Sequence, residues 1–311
     1  MYNEAPLPLF TLLPPFYDKP LHKNATWYLK RIEGEFSIPI RKYEYLKWPF
    51  DNDVFIINDK IVFRFPKTQQ ARSHLQYEIN FTMYLNDKVS IQIPRYDYVS
   101  KRSDFAGYFI IPGKNLTYSV FNSLSRKNKE KVVNELVEFI NVFHHINTNE
   151  FETYKPARRE DFIEAEKRIE KELKHRLFPK LSKKEVDIIK SFYKESKEYL
   201  QKIQHLTPIH GDLYAWNIIW DKKTAKPGVI DFSDYMLSDP ARDFEVFYDY
   251  GAEYAEMAYE QYKGKKDKEF LKRAEIYYKT HGIYTLLSSL LGARISFNYA
   301  YKYYFKKKFN L

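Results

Sequence analysis

The stretch HGDLYAWNIIW, residues 210–220, sets a histidine and an aspartate two residues apart, an asparagine five residues further on, and then a short apolar run. Downstream lies GVIDFSDYMLSDPARDF, residues 228–244. The apolar runs NIIW (217–220) and GVID (228–231) flank DKKTAKP, which has the chemistry of a turn, and together they read as an antiparallel hairpin. If Asn217 pairs with Asp231, then Trp220 pairs with Gly228. Directly opposed residues share a face, with Cβ atoms about 5 Å apart. Asn217 and Asp231 are therefore expected to meet at the open end of the hairpin, with Asp212 on the loop that feeds it. Two carboxylates and an amide oxygen are hard ligands of the kind Mg²⁺ takes alongside phosphate oxygens. They are not a zinc set, which would want more histidine or any cysteine. Singly, each residue is also a common turn former at a strand end.

The rest of the composition narrows the setting. The chain has 311 residues, 44% hydrophobic and 30% charged, the balance of a folded globular protein rather than a disordered one. Without cysteine, it has no disulfide, thiolate metal site or cysteine nucleophile. The opening MYNEAPLPLFTLLPPFYDKP carries Glu4, no basic region and five prolines, so it does not read as a signal peptide. No run approaches the about 18 apolar residues of a membrane helix. A soluble, cytoplasmic monomer with no membrane partner is expected. The net charge of +10 raises nucleic acid as a partner, but the lysines alternate with glutamates, as in EDFIEAEKRIEKELKHR (160–176). Such stretches are solvated helix faces. The reading favours a phosphate-bearing ligand over nucleic acid.

Along the chain, residues 1–20 read as an extended, proline-rich arm. NATWYLKRIEGEF (24–36) reads as a helix, and DVFIINDKIVFRFP (53–66) as a hairpin turning at Asn58–Asp59. SHLQYEINFTMYLND (73–87) has Leu75, Ile79 and Met83 at helical spacing, with Ser73 as the expected N-cap. IPRYDYVS (93–100) and FAGYFIIPG (105–113) suggest two more strands, the second closed by Pro112–Gly113. The pattern predicts a small α+β lobe over 1–112 and a helical lobe over 113–311. The second contains three amphipathic stretches, at 126–148, 159–178 and 182–203.

Taken together, D-x-x-x-x-N followed by an I-D-F strand end matches the phosphoryl-transfer arrangement of kinases, with a base on the catalytic loop and an asparagine and an aspartate on metal. In HGDLYAWN, VIDFSD and DPARDF the sequence resembles the aminoglycoside phosphotransferase family, over roughly residues 21 to 311. Within it the likeness is nearest to the enzymes that phosphorylate the 2''-hydroxyl of aminoglycosides. The resemblance implies a bilobal protein-kinase-like fold, Mg²⁺, ATP or GTP as phosphate donor, and a hydroxylated small molecule as acceptor.

By the family pattern, Asp212 accepts or orients the proton of the attacking hydroxyl, while Asn217 and Asp231 hold Mg²⁺. His210, Asp239 and Asp243 brace the loop. Arg64 and Glu78 stand where kinases pair a strand lysine with a helix glutamate. Phe109 and Ile111 would offer backbone groups to a purine edge. Where the family carries a glycine over the phosphates, this chain has Trp48, Pro49 and Phe50, and Pro49 has no N–H to give. Asn52 and Asp53 would supply backbone donors there instead. For a polycationic acceptor, Glu245, Asp249, Glu253 and Glu256 would form an acidic rim, although the net positive charge leaves room for a neutral acceptor such as a macrolide or sugar. Other classes stay open. Pro49 and Arg64 raise a catalytically weak nucleotide-binding scaffold. A protein kinase is disfavoured by the lack of an activation-loop segment between IDFSD and DP.

Overall fold

The computed structural model describes residues 23–46, 52–155, 169–293 and 295–311. The N-terminal arm, Trp48 to Phe50 and the first ten residues of the expected helix over 159–178 lie outside them.

The first lobe is built on an antiparallel sheet in the order β1-β2-β3-β5-β4, where β1 is Tyr43–Leu46, β2 Asn52–Ile57, β3 Ile61–Pro66, β4 Tyr98–Val99 and β5 Ala106–Phe109. The β2–β3 hairpin turns where expected. Asn58 and Asp59 adopt left-handed φ of 53° and 55°, a conformation that Asn and Asp tolerate best among residues with a Cβ. The Asn58 side chain also accepts the Arg41 and Lys42 N–H groups, tying β1 to the turn. Helix α1 (Ala25–Phe36), capped by Asn24, covers one face with Tyr28 and Ile32 against Phe55, Phe63, Phe65 and Phe105.

Helix α2 (Gln69–Asn86) starts earlier than the sequence suggests. Thr68, not Ser73, is the N-cap: its hydroxyl accepts the Ala71 N–H at 3.0 Å, while Ser73 bonds back inside the helix to the Gln69 carbonyl. Leu75 and Ile79 are buried as expected, but Met83 is 57% exposed. The buried face instead passes to Phe81 and Leu85, which leave the sheet and join the core of the second lobe. The strand expected over 93–100 shrinks to Tyr98–Val99.

Beyond Gly113 the chain is mostly helical. After β6 (Lys114–Asn115) come α3 (Tyr118–Asn122), α4 (Arg126–His144), α5 (Thr148–Glu152) and α6 (Lys183–Leu200), the last opened by a Ser182–Glu185 capping box. Then follow β7 (Thr207–Ile209), β8 (Ile218–Asp221), β9 (Lys226–Val229) and β10 (Met236–Ser238), and finally α7 (Glu245–Tyr250), α8 (Ala252–Gln261), α9 (Phe270–Ser288) and a C-terminal helical segment from Phe297 to Phe309. Two small sheets, β6-β8-β9 and β7-β10, hold the loops that carry the acidic motifs. β6 comes straight from the inter-lobe connection, so the connector is pinned to the strand that leaves the 210–217 loop. No helix among the described residues is long and apolar enough to cross a membrane.

Candidate active site

The 210–217 loop leaves β7 and is held by its backbone. Asp243 accepts the His210 N–H at 2.8 Å on one carboxylate oxygen and the Gly211 N–H at 3.0 Å on the other. The His144 Nε2 lies 3.1 Å from the same carboxylate, and the Tyr262 hydroxyl meets His144 Nδ1 at 2.8 Å. A carboxylate can only accept, so the His144 Nε2–H donates to Asp243. These donors hold the Asp243 carboxyl below its usual range against the opposing effect of burial. Gly211 sits at φ 81°, and a Cβ there would stand 2.3 Å from the Asp234 carbonyl, so the motif's glycine is a steric requirement. Asp239 is buried as well; it receives Arg273 at 2.7 Å and caps the turn at Ala241.

His210 is fully buried among Phe139, Phe143 and Phe232. Its Nδ1 accepts the Asp212 N–H at 3.3 Å, and burial pushes its pKa down. The ring is thus a neutral brace inside the loop.

The β8–β9 hairpin forms, but one residue out of the expected register. Ile218 faces Val229 and Trp220 faces Pro227, so Asn217 stands opposite Ile230, whose N–H it accepts at 2.9 Å, rather than Asp231. The cause lies in the turn. Asp221 accepts the Lys223 N–H and the Thr224 hydroxyl, and Ala225 takes a left-handed φ of 50°, which closes a four-residue loop. A one-residue slip alone would send Asp231 to the opposite face from Asn217. Asp231, however, lies past the ladder at φ 65°, where pleating no longer governs direction.

Asn217 donates its side-chain amide to Asp212 Oδ2 at 2.8 Å and to the Asp212 carbonyl at 2.9 Å. Asp212 is nearly buried, and burial, followed by the charges of Asp234, Asp231 and Glu245, pushes its carboxyl well above the ordinary range. Packing these charges together is costly without a cation. The donors present suit one. Asn217, its amide hydrogens committed to Asp212, can offer Oδ1. Asp231, one-third exposed, has one oxygen engaged by Ser233 at 2.9 Å and by Arg64 at 3.6 Å, which leaves the other free to ligate. Among the described residues no three His, Asp or Glu side chains are grouped to hold a metal alone. A Mg²⁺ ion here would take its remaining ligands from phosphate and water, as this ion usually does.

On the sheet side of Asp231, Arg64 on β3 donates to Glu78 on α2 at 2.6 Å, and both contact the Tyr96 hydroxyl, at 3.0 and 2.9 Å. Burial raises the Glu78 carboxyl while Arg64 pulls it back. Asp53 is fully buried and accepts from the Tyr28 and Tyr45 hydroxyls, with the Lys67 ammonium at 3.4 Å, so its side chain anchors the start of β2. Asn52 opens that strand opposite Pro66. Just past β5, the Ile110 N–H bonds to the Lys60 carbonyl at 2.8 Å. Alternation along an antiparallel ladder therefore turns the Phe109 backbone groups away from β3, beyond the end of β4. Ile111 follows, half-buried, its side chain against Gly228.

The four acids named for an acceptor separate. Glu245, the first residue of α7, is buried, bonds to His281 Nδ1 at 3.3 Å and acts on Asp212. Asp249 pairs with Lys308 at 3.1 Å. Glu253 and Glu256 lie exposed on α8, with the Glu253 carboxylate folded back toward Gly251.

A family model for the phosphotransferase enzyme family matches residues 42–274. The chain belongs to that family. Among solved structures, it is similar to the GDP complex of wild-type aminoglycoside 2'-phosphotransferase-IIIa, with 24% identity over 93% of this chain and 99% of that one, and a TM-score of 0.75. The streptomycin–ATP–APH(2")-IIa ternary complex follows at 22% identity over 87% and 94% of the two chains, TM-score 0.64. Apo macrolide 2'-phosphotransferase MphH from Brachybacterium faecium stands at 15% identity over 85% and 92%, TM-score 0.59. The fold is the kinase-like one expected, α+β with a sheet-rich lobe and a larger helical lobe.

Several groups in this phosphotransferase escaped the sequence reading. Asp234 is one of the acids whose charge raises the Asp212 carboxyl, and its place in the VIDFSD segment gave it no role. Tyr96, His144 and Arg273 brace motif residues from 18 to 99 positions away, a distance at which no local pattern points to them.

Proposed function

We propose that this phosphotransferase moves the γ-phosphate of ATP or GTP to a hydroxyl of a small molecule. The observation that carries the reading is Asp212: a nearly buried carboxylate fixed by Asn217, on a loop clamped by Asp243, with the charge of Asp231 acting on it and Arg64, paired with Glu78, reaching Asp231. The acceptor oxygen attacks the γ-phosphorus, its proton passes to Asp212, and the bond to the β–γ bridging oxygen breaks to release the diphosphate. General base action of this kind contributes about 10²–10⁴-fold. Bound Mg²⁺, held by Asn217 Oδ1 and Asp231, would neutralise phosphate charge as it builds up. Arg64 extends the same service to the phosphates nearer the sheet, the Asn52 and Asp53 backbone covers them, and the Phe109 and Ile111 backbone receives the purine edge. The nucleotide lobe is residues 1–112 and the acceptor lobe residues 113–311.

Aminoglycosides are the first acceptors to try, because similar structures are named for them; macrolides and sugars follow. The scaffold reading loses one of its two supports, since Arg64 makes the pair with Glu78 that a strand lysine would make. The test is a phosphate-transfer screen over these acceptors, run in parallel with ATP and GTP. Transfer that depends on Mg²⁺ and is abolished in Asp212→Ala is expected. Absence of transfer to every acceptor, with no nucleotide turnover, would refute the reading.

A further inference from the structure

Helix α9 turns a row of polar side chains toward the motif segment. Arg273, Tyr277, His281 and Thr285 stand four residues apart, so each neighbours the next on the helix face. The first two hold Asp239: Arg273 donates to it at 2.7 Å and the Tyr277 hydroxyl at 3.2 Å. One turn further, His281 reaches Glu245 instead, with Nδ1 3.3 Å from the carboxylate. A carboxylate can only accept, so Nδ1 carries the proton of that bond. The same ring meets the catalytic loop, where the Tyr214 ring packs edge-on against it with centroids 4.7 Å apart. Tyr214 joins the two working residues of that loop. Its N–H donates to the Asp212 carbonyl at 3.1 Å, and its carbonyl accepts the Asn217 N–H at 2.8 Å. The helix is backed at this level by the C-terminal segment. A Cβ on Gly282 would stand 3.2 Å from the Tyr304 carbonyl, and the Tyr304 hydroxyl receives the Trp216 indole N–H at 2.9 Å.

Resting on the phosphotransferase reading above, we propose that His281 is a positioning residue for phosphoryl transfer. It holds the Tyr214 ring, with its own ring aimed by Glu245, and so sets where Asp212 stands toward the attacking hydroxyl without touching either substrate. The other bonds to the loop act elsewhere: Asp243 holds His210 and Gly211, and Asn217 holds the Asp212 carboxylate. Packing alone does not account for a histidine here. Ile283, Leu286 and Leu287 on the same helix are fully buried apolar residues, whereas the His281 Nε2 is buried with no hydrogen-bond partner among the described residues. An apolar side chain would fill the same space without burying a second ring nitrogen. What it would lack is the bond to Glu245, and that carboxylate is close enough for its charge to act on Asp212.

The test uses the full chain with Mg²⁺ and ATP or GTP, and follows nucleotide hydrolysis and transfer to kanamycin. His281→Leu removes both the ring and the donor. It should lower kcat about 10–10²-fold, the scale of a displacement of about 1 Å, while the nucleotide KM and the nucleotide-dependent rise in Tm stay as in the wild type. His281→Phe returns a ring to Tyr214 and should regain part of that loss. Tyr214→Leu should lower kcat too, and adding His281→Leu to it should cost nothing further, because both changes break the same contact. Thr285→Val, at the next position in the row, should leave kcat unchanged. If His281→Leu loses the nucleotide-dependent rise in Tm, His281→Asn replaces it under the same expectations, since it keeps a donor for Glu245 but no ring for Tyr214. Losses that add in the double variant, or an equal loss in Thr285→Val, overturn the proposal. Wild-type turnover that survives His281→Leu refutes this inference alone. A wild-type chain that turns over no nucleotide with any acceptor of the screen above refutes the phosphotransferase reading, and this inference with it.

Discussion

Asn217 donates its side-chain amide to Asp212 twice, to the carboxylate at 2.8 Å and to the main-chain carbonyl at 2.9 Å. One side chain therefore fixes the base and turns its own oxygen outward. Asn217→Asp keeps an oxygen for metal but sets a second carboxylate against Asp212, where like charges repel. Turnover should fall by about 10²–10⁴-fold, the range expected for a base moved out of place. Steady-state kinetics across Mg²⁺ concentrations check this. If Asn217 served only as a ligand, the variant would keep its activity or bind metal more tightly.

Removing the cation from Arg64 leaves Glu78 buried and unpaired. Breaking a buried pair in this way costs about 3–5 kcal/mol. Arg64→Ala should lower the denaturant midpoint accordingly. Arg64→Lys should recover part of the loss, because a lysine can reach Glu78 but cannot span Glu78, Tyr96 and Asp231 at once.

Chelation by EDTA should abolish turnover, and excess Mg²⁺ should restore it. Asp231→Asn should do the same to activity without touching the fold. The Asp231 side chain is one-third exposed, and its Arg64 contact is loose at 3.6 Å, so stability should change by no more than about 1 kcal/mol. Circular dichroism melts, read beside the kinetics, separate the two effects.

Acid should weaken the fold in two windows. The His210 pKa is depressed, so below 6.5 the unfolded chain takes up a proton that the folded chain refuses, and stability drops as pH falls. The Asp243 pKa is also depressed; its contribution is complete above 3.8 and is lost as pH falls below that value. Denaturant midpoints measured from pH 8 to pH 3 should show both losses. In His210→Gln the loss that begins near 6.5 should shrink, with a remainder from His205, whose pKa burial also lowers.

The motifs were legible because they are local. The β2–β3 turn at Asn58–Asp59, the helices at 24–36 and 126–148, and the 210–217 loop all follow from residues adjacent in the chain. Register was not legible in the same way. It depended on how Asp221 folds the turn onto Lys223 and Thr224, and a shift of one residue moved Asn217 from Asp231 to Ile230. Helix α2 misled for another reason. Its apolar spacing through Met83 is real, but the helix crosses from one core to another, so the buried face rotates to Phe81 and Leu85. Contacts such as His144 with Asp243 join residues 99 apart, and only the folded chain brings them together.

Helix α2 and the segment after it give the molecule no clean seam. Phe81, Leu85, Ile91 and Ile93 lie in the core of the helical lobe, and the Gln92 carbonyl accepts the Val229 N–H at 2.8 Å. A polypeptide cut at residue 112 would carry those four apolar side chains bare into water, while its other half would keep the hollow they fill. Expressed apart, such halves would be sticky and short-lived. Produced together in one cell, they would have a ready-made surface on which to find each other, and this enzyme could then be rebuilt from two pieces.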